Sequence, residues 1–476
     1  MKVLIMTVGG EDKPLVESIL QNEPGWIYFI CSAGQNSSRV MVEKDGLVCG
    51  RGTKPNILTQ TGFPRDKYAI LEVDPDDPTD VYKEAKGIMV KHMGDSILAD
   101  YTGGTKSMAS GLLLAALEFD HCQPILMKGP RADLIKVTGD ASVPTEINRY
   151  NITVSRYLKA FEDLLARQDY GGAREIIRKI LRIKDKADLE DHEKEFLGKA
   201  NLAMLAFDRW DRFEYAEAWE DLVIYNRTYK KTISPEMKAC KDRAFKLAGL
   251  VNWLKNENSG EDHRDQRQPG KADGHGTVSF NIRNPKKEMP LPVYDLIRNA
   301  ERRARMEQYD DAVARLYRAT ELFAQFSLRR IGISTSDITA DTLSGLPEEH
   351  RRRLEKKRDD GGKLKIGLME SYELLGVLIP DLGRVWDKHR VKILDVIRHR
   401  NMSWLAHGFE PVKKEDYARF HERLTAFIAE CEEADPDYSK NEPRLHNFPD
   451  LPNKVEILNG TIQEGADRGQ EMAGHV

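Results

Sequence analysis

The stretch Ser96-Ile-Leu-Ala-Asp-Tyr-Thr-Gly-Gly-Thr-Lys-Ser-Met-Ala-Ser-Gly-Leu-Leu-Leu-Ala-Ala-Leu117 decides the fold. Ser96–Ala99 is a short apolar β run. Asp100–Lys106 is a turn of small and polar residues. Ser107–Leu117 is apolar and free of β-branched residues, so it predicts a helix. Gly103 and Gly104 permit a tight turn and close approach of backbone to a ligand. Thr105, Ser107 and the free amides of the first helical turn supply donors, and the helix dipole with Lys106 favours an anion there. The GxxxxGK spacing is missing, so ATP hydrolysis is not predicted.

Working outward, the first 145 residues alternate strand and helix patterns. Lys2–Met6, Trp26–Cys31 and Tyr68–Val73 read as strands, and Pro124–Met127 and Leu134–Val137 as closing strands. Lys13–Leu20 and Thr79–His92 read as helices. This alternation predicts a mostly parallel sheet with helices on both faces, a Rossmann-like α/β domain. Ligands of such sheets bind outside the carboxyl ends of the strands. Thr7-Val-Gly-Gly10 and Ser32-Ala-Gly-Gln-Asn-Ser37 would then line one crevice with the 100–106 turn. No GxGxxG is present, nor an acidic residue placed for a ribose.

Beyond about Asn151 the pattern is helical. Gln168-Asp-Tyr-Gly-Gly-Ala-Arg, Arg212-Phe-Glu-Tyr-Ala-Glu-Ala and Gln308-Tyr-Asp-Asp-Ala-Val-Ala echo one another, each with Tyr then Ala entering a helix. We read helix-pair packing from them rather than a strict repeat array. Residues 257–290 are polar and Gly-containing, a linker, and His263 and His275 read as loop histidines within it. The expected organisation is 1–145 α/β domain, 146–256 helical connector, 257–290 linker, 291–435 helical domain and 436–476 polar tail.

The chain has 476 residues, 73 Lys and Arg against 77 Asp and Glu, and a net charge of −4. A globally basic nucleic-acid binder is excluded, though a local patch is not. No apolar run approaches the roughly 18 residues of a membrane span. The N-terminal apolar run stops at Gly9-Gly10, which reads as a strand and not a signal peptide. Five scattered cysteines without a CxxC pair support neither a zinc site nor a disulfide framework, and point to a reducing cytoplasm.

A first strand ending in Thr-Val-Gly-Gly plus Asp100-Tyr-Thr-Gly-Gly-Thr-Lys-Ser107 resembles the CARF domain, the CRISPR-associated Rossmann-like sensor. The resemblance covers about residues 1–145. It implies a homodimer that binds a cyclic oligoadenylate, tetra- or hexa-adenylate, across the dimer axis. By the same resemblance Thr7, Gly9, Gly10, Thr102, Gly103, Gly104, Thr105 and Lys106 would line the ligand site, and Ser32 joins them from the end of the second strand. Some members of that family slowly cleave their own activator; Thr105 and Lys106 would be the candidates here.

A sensor implies an output in the C-terminal half. Arg400-Asn-Met-Ser-Trp-Leu-Ala-His407 places Arg and His seven apart. On a continuous helix through Leu405 and beyond, that is a turn of about 700°, which puts both on one face. Arg384–His389 and Arg468–His475 match the same loose spacing. The first would lie about 140° apart on a helix, and the second falls in the tail. The Arg-Asn-x5-His motif resembles that of HEPN ribonucleases, which implies Arg400, Asn401 and His407 as catalytic residues and a composite site from two subunits. His is suited to proton transfer near neutrality and Arg to a phosphate, and neither role calls for a metal or cofactor.

Arg351–Arg353, Lys356–Arg358, Lys363, Lys365 and Arg398 offer an RNA path, or a solvated charged helix face, since acidic residues intersperse. Trp404 could stack a base, but amid apolar neighbours it is expected in the core. The expectation is an activator-dependent, metal-independent single-stranded RNA endonuclease of type III CRISPR defence. The alternative is a ligand-sensing regulator or scaffold whose helical domain binds nucleic acid or protein without catalysis.

Overall fold

The computed structural model describes residues 1–44, 46–47, 53–128, 143–259, 289–359, 363–435 and 444–459. Contacts divide the chain into two units, Met1–Arg156 with Ile183–Leu189, and Tyr157–Arg182 with Glu190–Val476.

The first unit runs β1 (Lys2–Thr7), α1 (Lys13–Asn22), β2 (Trp26–Ser32), α2 (Val40–Glu43), β3 (Gly46–Leu47), β4 (Thr53–Lys54), α3 (Ile57–Thr61), β5 (Tyr68–Val73), α4 (Pro78–Lys91), β6 (Ser96–Asp100), α5 (Lys106–Ala116), β7 (Cys122–Lys128) and β8 (Val143–Glu146). Six strands form one sheet in the order β5-β2-β1-β6-β7-β8. All neighbours are parallel except β7 and β8. Strand periodicity builds two cores. Val3 and Ile5 of β1 face the α4/α5 side with Ala85, Met89 and Leu112. Leu4 and Met6 face the other side with Leu15, Ile19 and Ile57. The chain fills the sheet outward through β2 and β5, then returns to start β6 beside β1. That reversal leaves a crevice at the carboxyl ends of β1 and β6. The predicted strand at Leu134–Val137 lies outside the described residues.

The second unit is helical. α6 (Arg149–Ala166) and α7 (Tyr170–Ile183) have residues in both units; α8 (Asp191–Asp211), α9 (Tyr215–Thr228) and α10 (Pro235–Ser259) follow. After them come α11 (Leu291–Arg305), α12 (Tyr309–Arg330), α13 (Ala340–Ser344), α14 (Glu348–Glu355), α15 (Leu368–Leu378), α16 (Pro380–Asn401), α17 (Lys414–Ala434) and α18 (Val455–Asn459). α11 packs on α12, α12 on α15 and α17, and α16 on α15 and α17. Tyr372 stacks on Trp386 at 3.9 Å, and Phe427 meets both edge-on.

The three sequence echoes are one structural device. Gln168, Phe213 and Glu307 stand at φ of 60°, 64° and 61°, each two residues before the helix-opening Tyr. Each amide donates to the carbonyl three residues back, and the next amide to the carbonyl five back: Gln168 to Leu165 and Asp169 to Leu164, Phe213 to Trp210 and Glu214 to Arg209, Glu307 to Ala304 and Gln308 to Arg303. This is the Schellman closure of a helix, here carried by non-glycine residues that turn the chain into the next helix.

Most of the 257–290 stretch, with His263 and His275, lies outside the described residues, as do 436–443 and 460–476. Residues 444–459, part of the polar tail, pack onto the helical unit. Leu445, Phe448, Leu451 and Leu458 are buried. The backbone carbonyls of this segment are taken by side chains from several helices. Arg298 donates to Phe448 at 3.0 Å, Gln168 to Leu451 at 2.7 Å and Tyr170 to Pro452 at 2.9 Å. Asp450 joins a buried ionic cluster. In it the fully buried Arg302 donates to Asp211 at 2.8 Å and to Asp450 at 2.6 Å. The four apolar anchors are too sparse among polar residues to show a period, and their partners lie far away in sequence. Among the described residues, no helix is long and apolar enough to cross a membrane.

Candidate functional site

At the carboxyl ends of β1 and β6, two loops interlock through glycine. A Cβ on Gly103 would stand 2.3 Å from the carbonyl oxygen of Thr7, and one on Gly9 would stand 2.7 Å from the amide nitrogen of Gly104. Gly104 has φ of +79°. Only glycine allows both the close approach and that backbone angle. Thr7 is fully buried and donates to the Gly103 carbonyl at 2.7 Å, so its hydroxyl binds loop to loop. The Thr102 hydroxyl donates to Asp100 and accepts the Met127 amide at 2.9 Å. Ser32 and Ser38 exchange amide-to-hydroxyl bonds, 2.9 Å each, which close the 32–38 turn. These four hydroxyls therefore hold the loops of the crevice in shape.

Of the ligand-site residues expected from the sequence, Gly10, Gly104, Thr105 and Lys106 are exposed. Thr105 caps α5 by accepting the Met108 amide at 3.1 Å. Lys106 opens the helix with no carboxylate in ion-pair distance among the described residues. Asp100, beneath the turn, is fully buried, and burial raises its carboxyl above the ordinary range. A cradle of free amides, a helix start and one unpaired cation suits an anion.

The second site lies where α16 ends. The expectation of one helix, Val385–Leu405, with Arg400 and His407 on one face is corrected here: the helix stops at Asn401. Its last carbonyls need partners, and the returning chain supplies them. Ser403 donates to the Arg400 carbonyl at 2.9 Å, His407 to Asn401 at 3.2 Å and Glu410 to Met402 at 3.0 Å. Gly408 makes the closure possible: a Cβ there would fall 1.9 Å from the Met402 carbonyl oxygen. Val412, farther on, donates to Asp310 at 3.3 Å, which pins the loop to the start of α12. Arg400 and His407 are thus brought together by a tight loop and not by one helical face. Gly408 is a positioning residue that sequence reasoning missed.

Arg400 sits with its guanidinium 4.4 Å from the centre of the Tyr317 ring. Its Nη1 donates to the Asn401 side-chain oxygen at 3.3 Å, while its Nε is buried without a hydrogen-bond partner. No carboxylate lies in ion-pair distance of Arg400 among the described residues. Burial, then a hydrogen bond to Glu321, raises the Tyr317 phenol. The His407 side chain is exposed. A guanidinium without a carboxylate partner and an exposed imidazole, tied through the backbone of one loop, suit a phosphodiester and its protons.

The Arg384–His389 pair does not form such a site. Arg384 is bound to Asp381, and His389 to Glu430 at 2.8 Å. Arg468–His475 lies outside the described residues. On the charged helix, Arg352, Arg353 and Lys357 are each neutralised by Glu348, Glu373 and Glu370, so this face is salt-bridged surface more than a bare RNA path. Trp404 is not in the core: it is 64% exposed.

Residues 281–430 match the family described as Csm6 HEPN domain. No curated protein matches the chain. Among solved structures, Enterococcus italicus Csm6 bound to cyclic hexa-2'-fluoro-hexa-dAMP is similar at 12% identity and a TM-score of 0.47, over 92% of this chain and 96% of that one. Can2 from Sulfobacillus thermosulfidooxidans in complex with cyclic tetra-adenylate is similar at 12% identity and a TM-score of 0.20, over 63% and 86%. VC1899 from Vibrio cholerae is similar at 11% identity and a TM-score of 0.21, over 54% and 69%. The assignment rests on the family match and on the chain's own topology. Residues 281–430 are therefore assigned to the Csm6 HEPN family, and a doubly wound sheet stands ahead of them in the chain.

Proposed function

We propose that the chain is a ribonuclease of the type III CRISPR response, switched on by a cyclic oligoadenylate and cutting single-stranded RNA internally without a metal. The observation that carries this reading is Arg400: stacked on Tyr317, unpaired with any described carboxylate, its Nε buried and unbonded, beside the exposed His407.

The chemistry uses the RNA's own nucleophile. The 2′-oxygen attacks the adjacent phosphorus, the P–O5′ bond breaks, and the ends are a 2′,3′-cyclic phosphate and a 5′-hydroxyl. One base takes the 2′ proton and one acid returns a proton to the 5′ oxygen. Each chain brings one such histidine, so a homodimer that faces two motifs across the phosphate supplies both roles. Arg400 holds the non-bridging oxygens and offsets their charge in the transition state. Asn401 orients that guanidinium through its side chain and anchors His407 through its carbonyl.

The activator class follows from the Asp100–Lys106 resemblance. Its phosphates would lie on the amides of the 103–106 turn and on Lys106, with Gly9 and Gly10 beside them. Thr7, Ser32 and Thr102 act in this reading by holding the turns in shape. The five segments 1–145, 146–256, 257–290, 291–435 and 436–476 stay as a functional division into sensor, connector, linker, nuclease and tail.

The test is cleavage of a labelled single-stranded RNA in EDTA, with cyclic tetra- or hexa-adenylate, and mass analysis of the ends. Cyclic-phosphate ends formed only with an activator support the reading. Cutting that needs a divalent metal, or 3′-hydroxyl ends, would overturn it.

A further inference from the structure

The loop that closes the Arg400–His407 motif carries side chains that a soluble surface does not normally show. Trp404 is 64% exposed and Phe409 is 75% exposed. Their rings meet edge to face at 5.2 Å and 81°. That arrangement fixes the two rings against each other and leaves flat aromatic surface open. The loop beneath them is pinned. Ser403 is buried and pairs with Glu410, and the Gly408 amide donates to the Ser403 carbonyl at 3.2 Å. Exposed aromatic surface on a braced loop marks a contact site.

We propose that Trp404 and Phe409 are a stacking platform for the unpaired bases that flank the scissile phosphate of single-stranded RNA. This rests on the ribonuclease reading of Arg400 and His407. Every base has a π face, so stacking holds RNA without regard to sequence. Charge favours RNA over a bare contact between copies. Lys392 and Arg398 on the last turns of α16 are exposed, with no carboxylate in ion-pair distance among the described residues. RNA brings the anion that offsets these cations and Arg400.

The test uses the full chain and an uncleavable 2′-O-methyl RNA, with affinity read by fluorescence anisotropy. Trp404→Ala is expected to weaken binding on the order of 10-fold, and Trp404→Tyr to restore most of it. On an oligonucleotide whose central bases are replaced by abasic sites, wild type and Trp404→Ala should bind alike. Equal affinity of Trp404→Ala for base-bearing RNA overturns the platform, as does an absence of binding by wild type. A loss of affinity that comes with a fall from dimer to monomer mass in light scattering assigns the rings to a contact between copies and overturns it too. The ribonuclease reading is judged apart: His407→Ala should bind this RNA like wild type yet fail to cut the natural one. If His407→Ala still cuts, that reading fails while the stacking result keeps its meaning.

Discussion

The His407 amide donates to the Asn401 carbonyl at 3.2 Å, across the end of the helix that carries Arg400. A backbone bond therefore sets the spacing of the proposed acid–base group from the proposed phosphate-binding group. Its geometry depends on the loop and not on helical periodicity.

Gly408→Ala should break that loop, because its Cβ has no room beside Met402. The segment is exposed and short, so the melting temperature should hold within a few degrees. Activator-dependent cleavage should fall at least about 100-fold, as misplaced catalytic groups do. Cleavage rate and thermal melting, measured together, check this.

Gly103→Ala should remove activator binding, because its methyl group would force the Thr7–Gly10 and Asp100–Lys106 loops apart. Lys106→Ala should weaken binding without such a clash, since that side chain is exposed and unpaired. The rise in melting temperature on adding cyclic oligoadenylate reports both. It should vanish for the first variant and shrink for the second.

The N-terminal architecture was legible because its signals are local. Apolar β runs, helical spacing and the Gly103-Gly104 turn each sit within a few residues of what they specify. The end of α16 was not legible. Met402-Ser-Trp-Leu-Ala-His407 holds no Gly or Pro, and every residue in it tolerates a helix. The stop comes from the returning Gly408 and Glu410, which satisfy carbonyls the helix would otherwise have used. Exposure of Trp404 follows from the same turn. The burial of 444–459 was hidden for a related reason: its carbonyls are met by Gln168, Tyr170 and Arg298, distant residues that no local pattern announces.

Arg302→Met should destabilise the helical unit by about 3–5 kcal/mol, because it removes the fully buried cation shared by Asp211, Asp295 and Asp450. Urea unfolding followed by circular dichroism measures it. A change below about 1 kcal/mol would mean that Arg303 and Arg305 compensate.

Glu307→Gly should stabilise the chain by about 1 kcal/mol, since Glu307 is exposed and held at φ of 61°. The same urea experiment reads the gain. Glu307→Ala should show none of it, which separates backbone relief from loss of the carboxylate.

The most direct measurement is the single-turnover cleavage rate of one labelled single-stranded RNA, in EDTA with saturating cyclic oligoadenylate, for wild type and for His407→Ala. The account predicts cutting by wild type only when the activator is present, and a His407→Ala rate at the uncatalysed background with activator binding unchanged. A His407→Ala rate equal to that of wild type would contradict it.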